Sequence, residues 1–104
     1  MNLPSRAAEL GHLVCDGHGV GLDEVLGRDR HRRVSVVRGK VVAAWRREGY
    51  GLSEIGRWLG RHHTSVLHML RMTEWREEDL YRRRSGALRV SFKAWNDTRG
   101  EKKP

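Results

Sequence analysis

Two apolar stripes at helical spacing lie between Leu52 and Met72, separated by a short polar stretch. The stripes consist of Leu52, Ile55 and Leu59 and then of Val66, Met69 and Leu70. Gly60 lies between them and offers the left-handed backbone conformation in which a helix ends at little cost. Ser53 stands where an N-cap of the first helix is expected. The pattern therefore predicts two short helices joined by a tight turn.

Three residues in this stretch have the spacing of a helix-turn-helix. Gly56, four residues before Gly60, allows the two helices to approach each other closely. Val66, six residues after Gly60, is expected to pack into the angle between them. A small residue, a turn glycine and a buried aliphatic residue at this spacing are typical of that motif. An ordinary helical hairpin in an unrelated small domain is the alternative.

The rest of the chain also favours helices. Ser35 to Glu48 shows the clearest amphipathic pattern, with one apolar stripe toward the core. That stripe consists of Val37, Val41, Ala44 and Trp45. Pro4 to Asp16 and Leu22 to Leu26 also fit helices, and the second motif helix is expected to continue through residues 74–84. Ala87 to Trp95 fits either a short helix or an extended arm.

The chain of 104 residues has the length of one domain and can bury a modest core. We expect an all-α fold, a small helical domain with a helix-turn-helix over residues 1–84. Residues 85–104 are expected to form a C-terminal arm or tail, disordered from Arg99 to Pro104. Among the tryptophans, Trp45 and Trp58 are assigned to the core, whereas Trp75 and Trp95 are candidates for an interface.

The positive charge is concentrated on the segment that contains the predicted motif. The whole chain carries a net charge of +8, and the segment from Val25 to Thr73 accounts for it, with eleven lysines and arginines against three carboxylates. Such a focused field is typical of a polyanion partner, most often nucleic acid. The run from Arg28 to Arg33 contains four arginines, which can hold phosphates or enter a minor groove. A basic surface that is merely solvated is the alternative.

Other classes of function find little support in the sequence. His63 and His68 are five residues apart, rather than the four that place two metal ligands on one helical face. Cys15 lies near two histidines, but such spacing often arises by chance. The glycine-rich stretch 17–21 lacks the Gly-Lys-Ser/Thr sequence of a phosphate cradle. We therefore expect no metal, no cofactor and no catalytic activity.

The expected compartment follows from two further features. Cys15 is the only cysteine, so a disulfide within the chain is impossible and a reducing compartment fits. No apolar run reaches the length of about 18 residues that a membrane span needs. We expect a soluble, cytoplasmic protein associated with the nucleoid and no membrane partner.

The stretches LDEVLGRDRHRR, RGKVVAAWRREG and LSEIGRWLGRHHTSVLHML together resemble the C-terminal DNA-binding domain of bacterial replication initiators of the DnaA family. The resemblance runs from about residue 7 to residue 73, and its most specific parts are Ile55-Gly56 and Gly60 to His68. It implies a short helix, a basic loop, a long helix and a helix-turn-helix, the fold of DnaA domain IV, which is Trp-repressor-like. His62 replaces an acidic residue of the family and is expected to remove the N-cap of the recognition helix.

The resemblance also implies which residues contact DNA. Those that enter the major groove or hold its phosphates are Arg61, His63, Thr64, Ser65 and His68, and those of the minor-groove loop are Arg30, Arg32 and Arg33. Independently, a recognition helix presents its N-terminal residues to base edges, so its outward face adds candidates. The full set of candidate DNA-binding residues is Arg28, Arg30, Arg32, Arg33, Arg38, Arg61, His62, His63, Thr64, Ser65, His68 and Arg71.

These observations predict sequence-specific binding of double-stranded DNA. A transcriptional regulator or an accessory replication factor, on a phage or mobile element, is the expected role. A homodimer, or a protein partner of the C-terminal segment, would supply a second contact. One alternative is a protein-interaction adaptor that uses the tryptophans between Trp75 and Trp95 and has non-specific nucleic-acid affinity. A small nucleic-acid enzyme or toxin is the other alternative.

Overall fold

The computed structural model describes residues 3–101, with side chains up to Thr98, and over this range it contains helices and no strand. The predicted all-helical fold is therefore confirmed. The helices are α1 (Ser5–Asp16), α2 (Leu22–Leu26), α3 (Arg32–Glu48), α4 (Leu52–Leu59), α5 (His63–Ser85) and α6 (Phe92–Glu101). None of the helices in this part of the chain combines the length and apolar character that a membrane crossing requires.

The chain divides into two compact units between Leu70 and Arg71. The first unit contains α1 to α4 and the beginning of α5, and the second contains the rest of α5 together with α6. The division falls within α5, fourteen residues before the predicted boundary at Arg84. The continuation of this helix through residues 74–84 agrees with the sequence prediction.

The core of the first unit is built around Trp45 on α3. Its ring is completely buried, and its Nε1–H donates a hydrogen bond of 2.7 Å to the carbonyl oxygen of Ala7. The ring of Trp58 packs edge-on against it, with ring centroids 5.1 Å apart. The assignment of both tryptophans to the core is confirmed. Ile55 and Val66, one from each motif helix, are also fully buried, as expected of residues between two crossing helices.

Helix α3 is the central element of this unit, because α1, α2 and α4 all pack against it. It begins at Arg32, three residues before the predicted start. The Asp29 carboxylate accepts the His31 backbone N–H at 2.8 Å, which closes a turn directly before the helix. Arginine is a good helix former, so the charge run that suggested a loop supplies the first helical turn instead. Gly49 ends the helix with a φ of +110°.

Arg38 on α3 is a structural residue, which corrects its assignment to the DNA-binding set. The residue is only 2% exposed. Its Nε donates to the Val25 carbonyl at 2.7 Å, and its Nη2 lies within 3.0–3.2 Å of three more carbonyl oxygens. Those three belong to Glu24, Gly27 and Asp29. The guanidinium therefore caps the C-terminal end of α2, where carbonyl groups lack helical partners and the dipole favours a cation.

The second unit is held together by aromatic side chains from α5 and α6. The Phe92 ring lies between Trp75 and Trp95, at centroid distances of 5.9 and 6.1 Å. The indole N–H groups of Trp75 and Trp95 donate to the Val90 carbonyl at 2.8 Å and to Glu78 Oε2 at 2.7 Å. The two tryptophans suggested for an interface thus stabilise their own unit. Trp95 is nearly buried, with 6% exposure.

The C-terminal segment combines the two alternatives that the sequence left open for Ala87 to Trp95. The region from Ala87 to Ser91 is not helical, and α6 begins at Phe92. The hydroxyl of Ser91 accepts the Ala94 backbone N–H at 3.2 Å, as an N-cap does. The predicted disordered tail from Arg99 overlaps α6 in its first three residues, and residues 102–104 lie outside the described part of the chain.

Replacing Arg38 with Met is expected to lower the free energy of unfolding by about 2–4 kcal/mol. Methionine retains much of the side-chain volume but donates nothing, so four carbonyl groups lose a charged donor. Urea unfolding followed by tryptophan fluorescence measures the change. The control is Arg46→Met on the same helix, where the exposed guanidinium has one hydrogen bond to the Tyr50 carbonyl. If both variants unfolded at the same urea concentration, the capping role of Arg38 would be wrong.

Candidate nucleic-acid interface

The turn between α4 and α5 has the hydrogen bonds of a Schellman motif. Gly60 adopts a φ of +64°, and its N–H donates to the Arg57 carbonyl at 3.3 Å. The next N–H, of Arg61, donates to the Gly56 carbonyl at 2.8 Å. This pair of bonds satisfies carbonyl groups at the end of α4 and sets the direction in which the chain leaves it. The turn glycine predicted from the sequence is therefore in place.

Gly56 is required by the backbone of this turn. A Cβ atom at this position would lie 2.5 Å from the Arg61 carbonyl oxygen, far inside normal contact distance. The sequence suggested that Gly56 allows two helices to approach each other. The structure shows that the closest group is the turn itself, since the Arg61 carbonyl folds back onto α4. A side chain at Gly56 would push the turn, and with it the start of α5, away from α4.

The N-terminus of α5 is capped by His62, which corrects the expectation that this histidine removes the cap. Its Nδ1 lies 3.3 Å from the Thr64 backbone nitrogen and 2.9 Å from the Thr64 hydroxyl oxygen. A backbone N–H can only donate, so Nδ1 is the acceptor and the ring carries its proton on Nε2. The carbonyl oxygen of His62 accepts the N–H groups of Ser65 and Val66. At α4, by contrast, the predicted cap Ser53 lies inside the helix, and Glu54 accepts the Gly51 N–H at 3.3 Å.

Two clefts adjoin the turn, and the side chain of Arg61 contributes to both. The first has a volume of about 440 Å³ and lies between the beginning of α3 and the beginning of α5. The second, of about 350 Å³, lies between α4 and the turn. The first is lined by Ser35, Arg38, Arg61, Thr64, Ser65, His68 and Met69, and the second by Ser53, Gly56, Arg57, Gly60, Arg61, His62 and His63. No carboxylate lines either cleft, so the turn lies in a positive field.

The structure brings most of the predicted α5 residues together at this turn. The side chains of His62 and His63 are exposed, and their rings lie against each other at an angle of 36°, with centroids 4.2 Å apart. Thr64 and Ser65 are exposed as well, while Arg61 is half-buried. Arg71 belongs to the second unit, where its Nη1 donates to Asn96 Oδ1 at 3.0 Å, and its assignment to the DNA-binding set stays a prediction.

The basic run is divided between two places. Arg28 and Arg30 lie in the loop before α3 and are exposed, and Arg32 is the first, exposed residue of that helix. The loop is fixed close to the first cleft, because Arg38 binds the Asp29 carbonyl and Ser35 lines the cleft from α3. Arg33 points elsewhere: its Nη2 donates to the His18 carbonyl at 3.2 Å. The predicted minor-groove loop is thus shorter than the sequence suggested.

Two polar residues at the clefts were missed by the sequence interpretation. Arg57 is exposed and lines the second cleft, and Ser35 lines the first. The signal for Arg57 was present, since it precedes Gly60 by three residues and so stands at the end of α4 beside the turn. No comparable signal existed for Ser35, which was assigned to the start of a helix. Its position at the cleft depends on how α3 and α5 pack.

Electrostatics separates the buried cation of this region from the accessible ones. Burial lowers the pKa of Arg38, and the nearby charge of Arg61 lowers it further, while Asp29 acts in the opposite direction.

Burial also raises the pKa of the Cys15 thiol, with Asp16, Glu24 and Asp23 adding to the effect. Cys15 is therefore a buried, weakly nucleophilic residue. No group of three or more potential metal ligands occurs within the part of the chain described.

Replacing Gly56 with Ala is expected to destabilise the first unit by about 1–3 kcal/mol, since the added methyl group meets a backbone oxygen. Chemical unfolding followed by tryptophan fluorescence tests this expectation. Gly17→Ala is the matched control, because Gly17 has a φ of −67° and a Cβ there would lie 3.6 Å from its nearest neighbour, the Val14 carbonyl oxygen. The control is expected to be neutral or slightly stabilising. Equal stability of both variants would contradict the close approach at Gly56.

Replacing His62 with Ala is expected to lower the free energy of unfolding by about 1 kcal/mol, the usual value of an N-cap. His62→Asn is expected to retain most of the stability, because its side-chain oxygen can accept the same N–H of Thr64. Thermal unfolding followed by circular dichroism compares the two variants. His63→Ala, a change at the exposed neighbour, serves as a control. A His62→Asn protein as unstable as His62→Ala would show that the ring does not act as a cap.

In comparisons with known proteins, no family model, no curated protein and no solved structure matches the chain. The function is therefore inferred from the chain's own residues.

Proposed function

We propose that this chain binds duplex DNA sequence-specifically, with the turn and the first turn of α5 in the major groove. The observation that carries the proposal is the exposed, carboxylate-free surface at residues 62–65, beside two clefts that share the half-buried Arg61. The major groove of B-DNA is wide enough to admit an α-helix and presents donors and acceptors that distinguish all base pairs. A helix end with exposed polar side chains and flanking arginines is chemically suited to that groove.

The hydrogen bond between His62 and Thr64 determines what each side chain offers to a base. With His62 Nδ1 as the acceptor, the Thr64 hydroxyl donates a hydrogen bond to it, and the hydroxyl oxygen is left to accept another. The donors on the major-groove edge are the amino groups of adenine and cytosine, whereas phosphate oxygens only accept. Thr64 is therefore assigned to an adenine or cytosine amino group. The exposed Nε2–H of His62 is a donor and is assigned to a guanine edge or a phosphate.

The two clefts supply contacts to the DNA backbone. Arg57 and Arg61 place guanidinium groups at the second cleft, and Ser65 presents a hydroxyl group at the first. Arg28 and Arg30 extend this surface from the loop before α3, where they can reach an adjacent phosphate or the minor groove. Such contacts fix register and make binding sensitive to salt, while the base edges supply specificity.

The resemblance of residues 7–73 to the DNA-binding domain of DnaA initiators agrees with this surface. On that basis we place the chain among transcriptional regulators or accessory replication factors, with a phage or mobile element as its setting and the nucleoid as its location. A homodimer or a protein partner of the second unit stays a prediction. The side chains that it would contact there are the exposed apolar ones, Leu80, Tyr81 and Leu88.

The proposal is tested by selecting bound duplexes from a pool of random-sequence DNA at about 0.15 M salt, where non-specific binding is weak. A defined motif is expected, with an adenine or cytosine at the position that Thr64 contacts. A palindromic motif would indicate a dimer with two half-sites. Recovery of DNA without any motif would replace the proposal with a non-specific binder, and failure to retain DNA would remove it.

Replacing Thr64 with Val is expected to weaken binding to the selected site by about 1–3 kcal/mol, which corresponds to roughly 5- to 150-fold in Kd. Valine retains the shape and a methyl group but lacks the acceptor oxygen. Thr64→Ser keeps the acceptor and is the matched control. Fluorescence anisotropy with the selected duplex, and with duplexes changed at one base pair, measures affinity and specificity. Unchanged affinity of Thr64→Val for the selected duplex would contradict the assignment.

Replacing Arg61 with Ala is expected to weaken binding to selected and unrelated duplexes alike, because Arg61 contributes charge to both clefts. The slope of log affinity against log salt concentration should fall by about 1 for each phosphate contact that is lost. Arg84→Ala removes the same charge from an exposed position in the second unit. If the two variants gave the same affinities and slopes, Arg61 would not contact DNA.

A further inference from the structure

Three cations of helix α3 lie on one line along its axis. Arg33, Lys40 and Arg47 share this line, because each follows the one before by seven residues, which is close to two helical turns. Arg33 and Arg47 are exposed, and Lys40 is half-buried. At the rise of an α-helix, their Cα atoms are about 10 Å apart along the axis. We refer to these three residues as the α3 strip.

The glycine-rich loop after α1 lies against the α3 strip and adds no negative charge to it. Arg33 Nη2 donates to the carbonyl oxygens of His18 and Gly19 at 3.2 and 3.3 Å. Lys40 Nζ lies within hydrogen-bond distance of His18 Nε2, at 3.4 Å. These bonds use one nitrogen of Arg33 and one donor of Lys40, so both side chains retain further N–H donors. Arg47 is exposed at the end of the helix.

Carboxylates do not neutralise the α3 strip. Among the residues described, the ion pairs of the first unit join Arg6 to Glu9 and to Glu48, and neither includes a residue of the strip. Helix-dipole effects account for Arg47, because a cation is favoured in the last turn of a helix. They do not account for Arg33, which lies in the first turn, where the dipole disfavours a cation. A negative partner would offset this unfavourable position.

The α3 strip faces away from the clefts at the turn. Ser35 and Arg38, which line the first cleft from α3, lie roughly 200° and 140° around the helix axis from Arg33. The two surfaces are therefore on nearly opposite sides of α3. A duplex at the turn and a duplex at the strip would therefore contact different sides of α3.

We propose that the α3 strip is a binding surface for a second DNA duplex, so that one molecule can bridge two DNA segments. A line of cations without carboxylate partners is complementary to a phosphate backbone. The strip presents charge rather than a pattern of base readers, so this binding is independent of sequence. The bridging function depends on the proposed function at the turn, whereas binding to the strip itself does not.

The experiment compares four full-length proteins: the wild type, a strip variant (Lys40→Gln and Arg47→Gln), a turn variant (Arg61→Ala and Thr64→Val) and the combination. Anisotropy measures the binding of one short labelled duplex. Bridging is measured by the capture of a labelled duplex on beads that carry an unlabelled one. Arg84→Gln with Lys93→Gln removes two exposed charges from the second unit and controls for net charge. Circular dichroism verifies that every variant is folded.

The expected result is that the strip variant binds a single duplex nearly as well as the wild type but captures about tenfold less of the second duplex. The charge control should capture as much as the wild type. The turn variant should retain weak, sequence-independent binding, which the combined variant loses. If the strip variant captured as much of the second duplex as the wild type, the proposal would be wrong, and bridging would be assigned to a dimer in which each protomer binds one duplex through its turn. Absence of capture by the wild type would overturn it as well.

The two proposals fail in different ways in this experiment. If the turn variant bound the selected duplex as well as the wild type, the function proposed for the turn would be wrong while the strip remained testable by the combined variant. If the strip variant alone abolished all DNA binding, the strip would be the main DNA site and the bridging proposal would be wrong. Capture of an acidic protein in place of DNA, with no bridging, would reassign the strip to a protein partner.

Discussion

The carbonyl oxygen of Arg61 folds back onto α4 at Gly56, and the arrangement of the turn depends on this contact. A hydrogen bond from the Arg61 N–H to the Gly56 carbonyl and the left-handed backbone of Gly60 hold the chain in this path. The path fixes where α5 begins and therefore where the exposed polar residues of its first turn lie. Burial of Ile55 and Val66 then stabilises the crossing of the two helices from the inside.

A second constraint connects this turn to the loop that precedes α3. The buried guanidinium of Arg38 binds four carbonyl oxygens of α2 and the following loop, and its residue also lines the cleft at the start of α5. The loop arginines are thus attached to the same helix that forms one wall of the cleft. A flexible basic loop would lose conformational entropy on binding a phosphate, and a loop already held by Arg38 loses less. In the proposed interface, Arg38 therefore holds the loop arginines in position and does not itself contact DNA.

The sequence predicted what apolar periodicity and glycine chemistry determine. The helices, the core positions of Trp45 and Trp58 and the turn at Gly60 follow from local patterns, and the structure agrees with them. The roles of polar residues were predicted less well, because a charged side chain looks the same in sequence whether it is exposed or bound to backbone. Arg38 and His62 were misassigned for this reason. Arg38 caps α2, which lies well before it in the sequence, and His62 uses a ring nitrogen to accept a hydrogen bond at the N-terminus of α5.

The concentration of positive charge between Val25 and Thr73 has more than one physical cause. Arg38 is buried to satisfy carbonyl groups, and Arg33 and Lys40 hold the glycine-rich loop, so part of the charge stabilises the fold. That role explains Arg38, a buried guanidinium with four acceptors, but it does not explain the exposed arginines Arg28, Arg30 and Arg47. Mutual repulsion among such cations destabilises the folded chain, and a polyanion bound to them removes this cost. The exposed cations therefore fall into two sets, one at the turn and one along α3, and each is a separate place where phosphate binding would stabilise the protein.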